Sequence, residues 1–224
     1  MLVTSAACGP LEANLYVVAS DEGNPCLIID PGQESWATAI ALVKRHGLTP
    51  VAVLATHGHF DHVADAARLA DHYGVPVWIH STDRHLLTDP GAGLGPVLEG
   101  WLRAILPDSP VEPARLEVLD SIEHLELAGL SITVTHAPGH SRGSVLYTVD
   151  AHPQPLVFSG DVLFAGSIGR SDLVGSDHQA MLTTLRALVA HVPDQARILP
   201  GHGPSTTMAR ERVSNPYLGD HFLA

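Results

Sequence analysis

Directly behind the β-branched apolar run Val51–Ala55, four ligand-type side chains fall within six residues, His57-x-His59-x-Asp61-His62. In an extended loop, residues two apart point the same way. His57 and His59 can therefore close on one ion while Asp61 and His62, at the entry to a helix, face the other side. Gly58 between them lets the backbone take the turn this requires. Three later turns carry the same residue types just past apolar runs: Ala137-Pro138-Gly139-His140, Ser159-Gly160-Asp161 and Leu199-Pro200-Gly201-His202-Gly203. Any one of these histidines alone is more often a surface or capping residue. A His displayed behind Pro-Gly, however, sits on a tight exposed turn, where a core-packing role is disfavoured. Together the seven side chains constrain the fold, because strands from both halves of the chain must deliver their loops to one place. Five imidazoles and two carboxylates are what two borderline-soft divalent ions such as zinc require, and iron or manganese accept the same mixed shell. The other histidines, including His80 in an interior position and His46, His72, His152 and His191 on the surface, are read as structural.

The local patterns supply the strands. Leu15–Ser20 and Cys26–Asp30 read as a hairpin, followed by a helix over Glu34–His46 that Gly47 closes. Val51–Ala55, a helix over Asp61–Tyr73 stopped at Gly74, and Val75–Ile79 form a β-loop-α-β unit, with the first histidines in the loop leaving the carboxyl end of its strand. Asp83–Asp120 is irregular and rich in Gly and Pro, with one helix-like segment near Val97–Leu106; it reads as a lid or insertion at 83–120. Ser121–Leu127 and Leu130–His136 form a hairpin around Ala128-Gly129, and Ser144–Val149, Pro155–Ser159 and Arg197–Leu199 are further strands. Gln179–His191 is the last long helix, and the tail from Ser205 is expected to dock as a short one. The two halves look alike, each running through strands to a helix. The expectation is a single domain over 1–224, an α/β fold of two stacked β-sheets with helices outside.

Composition narrows the partners. A net charge of −12 repels nucleic acid and anionic membranes, so the expected ligand is a small molecule. Cys8 and Cys26 form no CxxC pair, the first twenty residues lack a basic leader pattern, and no stretch approaches the roughly 20 apolar residues of a membrane span. A cytoplasmic location is expected.

Thr56–His62 resembles the T-H-x-H-x-D-H signature of the metallo-β-lactamase superfamily, and the turns at His140, Asp161 and His202 match its remaining ligand motifs in order. The resemblance covers essentially the whole chain. It implies the αββα sandwich, a first metal on His57, His59 and His140, a second on Asp61, His62 and His202, and Asp161 bridging them. Such a site activates water for hydrolysis of an ester, thioester, amide or phosphodiester, with Asp61 orienting the attacking water or taking its proton. Gly169-Arg170-Ser171-Asp172-Leu173 resembles a segment shared by short bacterial glyoxalase II-like enzymes and persulfide dioxygenases, and Asn215-Pro216-Tyr217-Leu218 resembles the end of the former. These imply a hydroxyacylglutathione hydrolase-like thioesterase acting on thioesters of glutathione or another low-molecular-weight thiol. The principal alternative is a persulfide dioxygenase with a single iron on His57, His140 and Asp161. A lactamase, a nuclease and a non-catalytic metal-binding protein rank lower. The chain stops too early for the C-terminal helical domain of longer glyoxalase II enzymes, and Lys44 is its only lysine. Arg142 and Arg170 are therefore the candidates for binding a substrate carboxylate, with a structural salt bridge as the competing role for each.

Overall fold

The computed structural model describes residues 1–94, 100 and 111–223. Its first sheet runs in the order β1 (Leu2–Cys8), β2 (Ala13–Ala19), β3 (Pro25–Ile29), β4 (Thr49–Leu54), β5 (Val77–Ile79) and β6 (Leu116–Val118). The pairs β1/β2 and β2/β3 are antiparallel, and β3 to β6 are parallel. Helices α1 (Trp36–Arg45), α2 (Phe60–Val63) and α3 (Ala66–Tyr73) accompany it. The second sheet contains β7 (His124–Leu127), β8 (Leu130–His136), β9 (Val145–Val149) and β10 (Leu156–Gly160). After the two-stranded β11 (Leu163–Phe164) and β12 (Ser167–Ile168) comes α4 (His178–His191). The chain then adds β13 (Arg197–Pro200) and β14 (Thr206–Thr207) to the second sheet and ends in α5 (Met208–Ser214) and α6 (Asp220–Leu223). The second sheet has the order β14-β13-β10-β9-β8-β7.

Alternation along β2 explains the layering. Tyr16 and Val18 point inward with Leu27, Ile29, Ala52 and Leu54 against Ile132, Tyr147, Phe158 and Leu199 of the second sheet. Leu15, Val17 and Ala19 point outward, to a separate layer with Ala39 and Val43 of α1 and Leu69 of α3. On the far side, Leu146, Val157 and Ile198 pack on Met181, Leu185 and Leu188 of α4 and on Leu218 of the tail. Strands buried on both faces read as continuous apolar runs, as these do. The result is the expected αββα sandwich.

Three differences from the sequence reading bear on the site. The helix expected over Asp61–Tyr73 is two helices, because the Asp65 amide donates to the Pro31 carbonyl at 3.1 Å instead of continuing the helical ladder. The Asp65 carboxylate accepts the Trp36 amide at 2.8 Å. Within the stretch read as a lid or insertion, Leu116–Val118 is the edge strand of the first sheet. Short 3₁₀ helices occupy Ser81–Leu87 and Pro90–Gly93. The helix-like segment near Val97–Leu106 lies outside the described residues. Among the described residues, no helix is long and apolar enough to cross a membrane.

Candidate metal centre

The strands β3, β4 and β5 run parallel, and β8, β10 and β13 run parallel to one another in the other sheet, so the turns at their carboxyl ends gather at one edge of the sandwich. All seven predicted ligand residues meet there. His57, His59 and His140 form one group of donor atoms and Asp61, His62 and His202 a second, the atoms of each group lying within 4.8 Å of one another. Asp161 stands between them. Its Oδ1 is 3.4 Å from His62 Nε2, and its Oδ2 is 3.5 Å from His140 Nε2 and 3.6 Å from His202 Nε2. Across the groups' own members, His59 Nδ1 faces His140 Nε2 at 2.9 Å and His62 Nε2 faces His202 Nε2 at 3.3 Å.

The surroundings decide which ring nitrogens carry lone pairs. The Arg170 carbonyl can only accept, so His140 Nδ1, 2.8 Å away, donates to it and leaves Nε2 bare. The Thr56 hydroxyl donates to Asp30 Oδ2 at 2.6 Å, so its oxygen accepts from His57 Nδ1 at 3.1 Å. His62 Nδ1 donates to the same Asp30 oxygen at 3.1 Å. All three rings therefore turn Nε2 inward, bare in His57 and His140. His57 Nε2 and Asp161 Oδ1 are buried with no hydrogen-bond partner, an arrangement that is costly unless a cation satisfies it. The residues fit a pair of divalent ions.

Asp30, His57 and His62 also form a compact group. The Asp30 carboxylate, however, is committed to the Thr56 amide at 2.7 Å, the Thr56 hydroxyl and His62. It orients ligands and is not one of them.

Electrostatics separate the two groups. Burial, reinforced by the neighbouring imidazoles, holds His57 well below its ordinary pKa. Burial and His140 likewise push His59 down to about 3. For His62, burial is outweighed by the carboxylates of Asp161, Asp61 and Asp30, which together raise it to about 10. A divalent cation neutralises the same negative charge and competes with that proton.

Sequence reasoning missed the supports. Asp30 directly follows β3 in Asp30-Pro31-Gly32, the same strand-Pro-Gly pattern that marks the turns of His140 and His202, and that pattern is the signal for it. Asn14 on β2 holds the last turn by donating to the Pro200 and Gly203 carbonyls at 3.0 and 2.9 Å, and Tyr16 Oη donates to the Pro200 carbonyl at 2.7 Å. Gly201 in that turn is required by close approach, since a Cβ there would lie 2.1 Å from Asp161 Oδ1. The two segments behind the glyoxalase II resemblance also prove to be supports. Gly169 packs so that a Cβ would lie 1.7 Å from the Asp161 carbonyl. Asn215 Nδ2 donates to the Ser167 carbonyl at 3.0 Å and to Glu211 at 2.9 Å, tying the tail to the β11–β12 hairpin that leads to Arg170.

The two arginines part company. The Arg170 guanidinium is exposed and held bidentately by Asp172 at 2.7 and 3.0 Å, and its contribution to the centre is its backbone carbonyl. Arg142 lines a cleft of about 420 Å³ beside His59, with Thr82, His85, Leu86 and Val174. Its guanidinium makes no ion pair among the described residues.

The family model described as the metallo-beta-lactamase superfamily matches residues 8–202. The chain belongs to that superfamily. The match begins at the end of β1 and closes on His202, so it spans every predicted ligand of the metallo-beta-lactamase centre. A probable metallo-hydrolase of Bacillus subtilis is 38% identical over 96% of each chain. The hydroxyacylglutathione hydrolase GloC of Haemophilus influenzae is 33% identical over 92% of this chain and 93% of its own length. Among solved structures, the BLEG-1 B3 metallo-beta-lactamase has a TM-score of 0.80 at 35% identity, covering 97% of this chain and 99% of that one. TTHA1623 in a di-iron-bound form has a TM-score of 0.75 at 36% identity, covering 96% and 100%.

Proposed function

We propose that the protein is a metal-dependent thioesterase of the glyoxalase II type, cleaving S-2-hydroxyacyl thioesters of glutathione or another low-molecular-weight thiol. The observation that carries this reading is the cleft beside His59. Leu86 and Val174 offer apolar contact for the thioester chain, and Arg142, which makes no ion pair among the described residues, offers a bidentate partner for a carboxylate. The likeness to the Haemophilus influenzae hydroxyacylglutathione hydrolase and the Gly169–Leu173 and Asn215–Leu218 segments support the same substrate class.

Two divalent ions, held by His57, His59 and His140 and by Asp61, His62 and His202, would lower the pKa of a ligand water to about 7 and would polarise the substrate carbonyl. Zinc suits the His-rich donor set, and the di-iron form of TTHA1623 keeps iron in view. The chain's own residues do the rest. Asp61, at the rim of the second group with its side chain 13% exposed, orients the attacking water or takes its proton. Arg142 holds the substrate carboxylate, and the thiol leaves through the open side of the cleft.

The test is free-thiol release from S-D-lactoylglutathione by metal-replete protein beside a chelator-stripped sample. Rapid, metal-dependent release is expected. A second reading, β-lactam opening, draws on the likeness to BLEG-1; nitrocefin cleavage without thiol release would put it first. Oxygen consumption with a persulfide substrate by protein holding one iron would instead favour a dioxygenase.

A further inference from the structure

Asp83, in the 3₁₀ turn after β5, is 2% exposed and belongs to none of the donor groups. Its Oδ2 accepts the Gly58 amide at 2.9 Å and the Ser141 hydroxyl at 2.6 Å, and its Oδ1 accepts the Gly143 amide at 2.7 Å. Gly58 lies between His57 and His59, while Ser141 and Gly143 follow His140. One buried carboxylate thus joins the two loops, one from each sheet, that supply the whole all-imidazole group.

We infer that Asp83 is a positioning residue that sets the geometry of the His57–His59–His140 group and of Arg142. Both glycines are shaped to it. A Cβ on Gly58 would lie 2.7 Å from the Asp83 carbonyl oxygen, and one on Gly143 would lie 2.6 Å from Asp83 Cγ. Gly58 is therefore required by the approach of Asp83 and not, as its place in the motif suggests, by a turn. A buried carboxylate with three donors is satisfied only while both loops stay in place, so its hydrogen bonds oppose their separation. The amide of Gly143 also fixes the turn that projects Arg142 into the cleft. The second group has other anchors: Asp30 for His62, and Asn14 for the turn of His202. Asp83 should therefore act on one group and spare the other.

This inference rests on the two-group reading of the centre, and the experiment separates the two. Chelator-stripped wild type, Asp83→Asn, Ser141→Ala and His140→Ala are titrated with cobalt(II), following stoichiometry, affinity and the visible spectrum, with thermal unfolding of each metal-free protein alongside. Asparagine keeps the volume but turns an NH₂ toward at least one donor. Asp83→Asn is expected to bind one ion as the wild type does and the other roughly 10–100-fold more weakly. Its residual spectrum should match that of His140→Ala, which deletes a donor from the first group. Ser141→Ala, which removes one bond of three, should give a smaller shift of the same ion and serves if Asp83→Asn does not fold. A wild type with two ions beside a variant with unchanged affinities, or with both affinities lowered equally, overturns the inference alone. A wild type that takes up fewer than two ions overturns the two-group reading and the inference with it.

Discussion

The two donor groups are built by the same device and differ in character. The first is three imidazoles, His57, His59 and His140, with exposures of 1%, 6% and 4%. Burial keeps His57 and His59 unprotonated, so their lone pairs are available near neutral pH without displacing a proton. The second brings a carboxylate of its own in Asp61, and its His202 side chain is 27% exposed. There His62 is charged by its neighbours, and burial is outweighed at His202 by Asp61 and Asp161 so that its pKa also rises. The first group is a preformed socket. The second is an electrostatic well at the solvent rim, suited to handling a water.

If the rim group handles the water, Asp61→Ala should produce the largest effect. Turnover should fall by roughly 10²–10⁴-fold, with the circular dichroism spectrum and the all-imidazole ion retained. A near wild-type rate would place water activation elsewhere and erase the functional half of the comparison.

Asp30 is where the two groups share a support, since it holds His62 directly and His57 through Thr56. Asp30→Ala should weaken both ions, each by roughly 10–100-fold, where Asp83→Asn weakens one. It should also lower stability, because hydrogen bonds to a buried carboxylate contribute about 1.5–3 kcal/mol each. Calorimetric titration and thermal melts test this. Selective loss of a single ion would show that the groups are anchored independently.

Arg142 shares a cleft with His59 of the first group, where the proposed function has it hold a substrate carboxylate. Arg142→Ala should raise KM by roughly 10-fold, the loss of one charge-assisted contact, and leave kcat nearly unchanged. Arg170→Ala should change KM little, because that guanidinium is spent on an exposed pair with Asp172, worth about 0.2–1 kcal/mol. Steady-state kinetics on a carboxylate-bearing thioester distinguish them, and an unchanged KM for Arg142→Ala with a lower melting temperature would assign it a structural role.

The candidate ligands were legible in the sequence because metal chemistry needs particular residue types on strand-end turns, and His57, His140 and His202 carry that signature in consecutive letters; the exposure expected of such turns is absent at His57 and His140, which the convergence of the loops buries. The layers were legible because β2, β4 and β10 bury both faces and read as apolar runs. What escaped depends on approach between distant segments. Asp30 and Asp83 are ordinary acids until the strand ends converge, and Asn14 acts across 186 positions on Pro200. The edge strands Leu2–Cys8 and Leu116–Val118 escaped for a related reason. Their burial is partial, so the apolar signal is diluted and only pairing to a neighbour defines them.

The smallest effect concerns the order of metal loss. A chelator must reach the ion or capture it after release, and both routes favour the group whose ligands touch solvent. During slow removal by EDTA the ion held by Asp61, His62 and His202 should leave first, giving a biphasic loss in which activity disappears with the fast phase because Asp61 and its water go with it. Sampling metal content and thiol release through the same time course checks this. Loss of both ions in one phase would mean that bridging Asp161 couples the groups into a single unit, and the contrast between socket and rim would then describe ligand chemistry without describing ion binding.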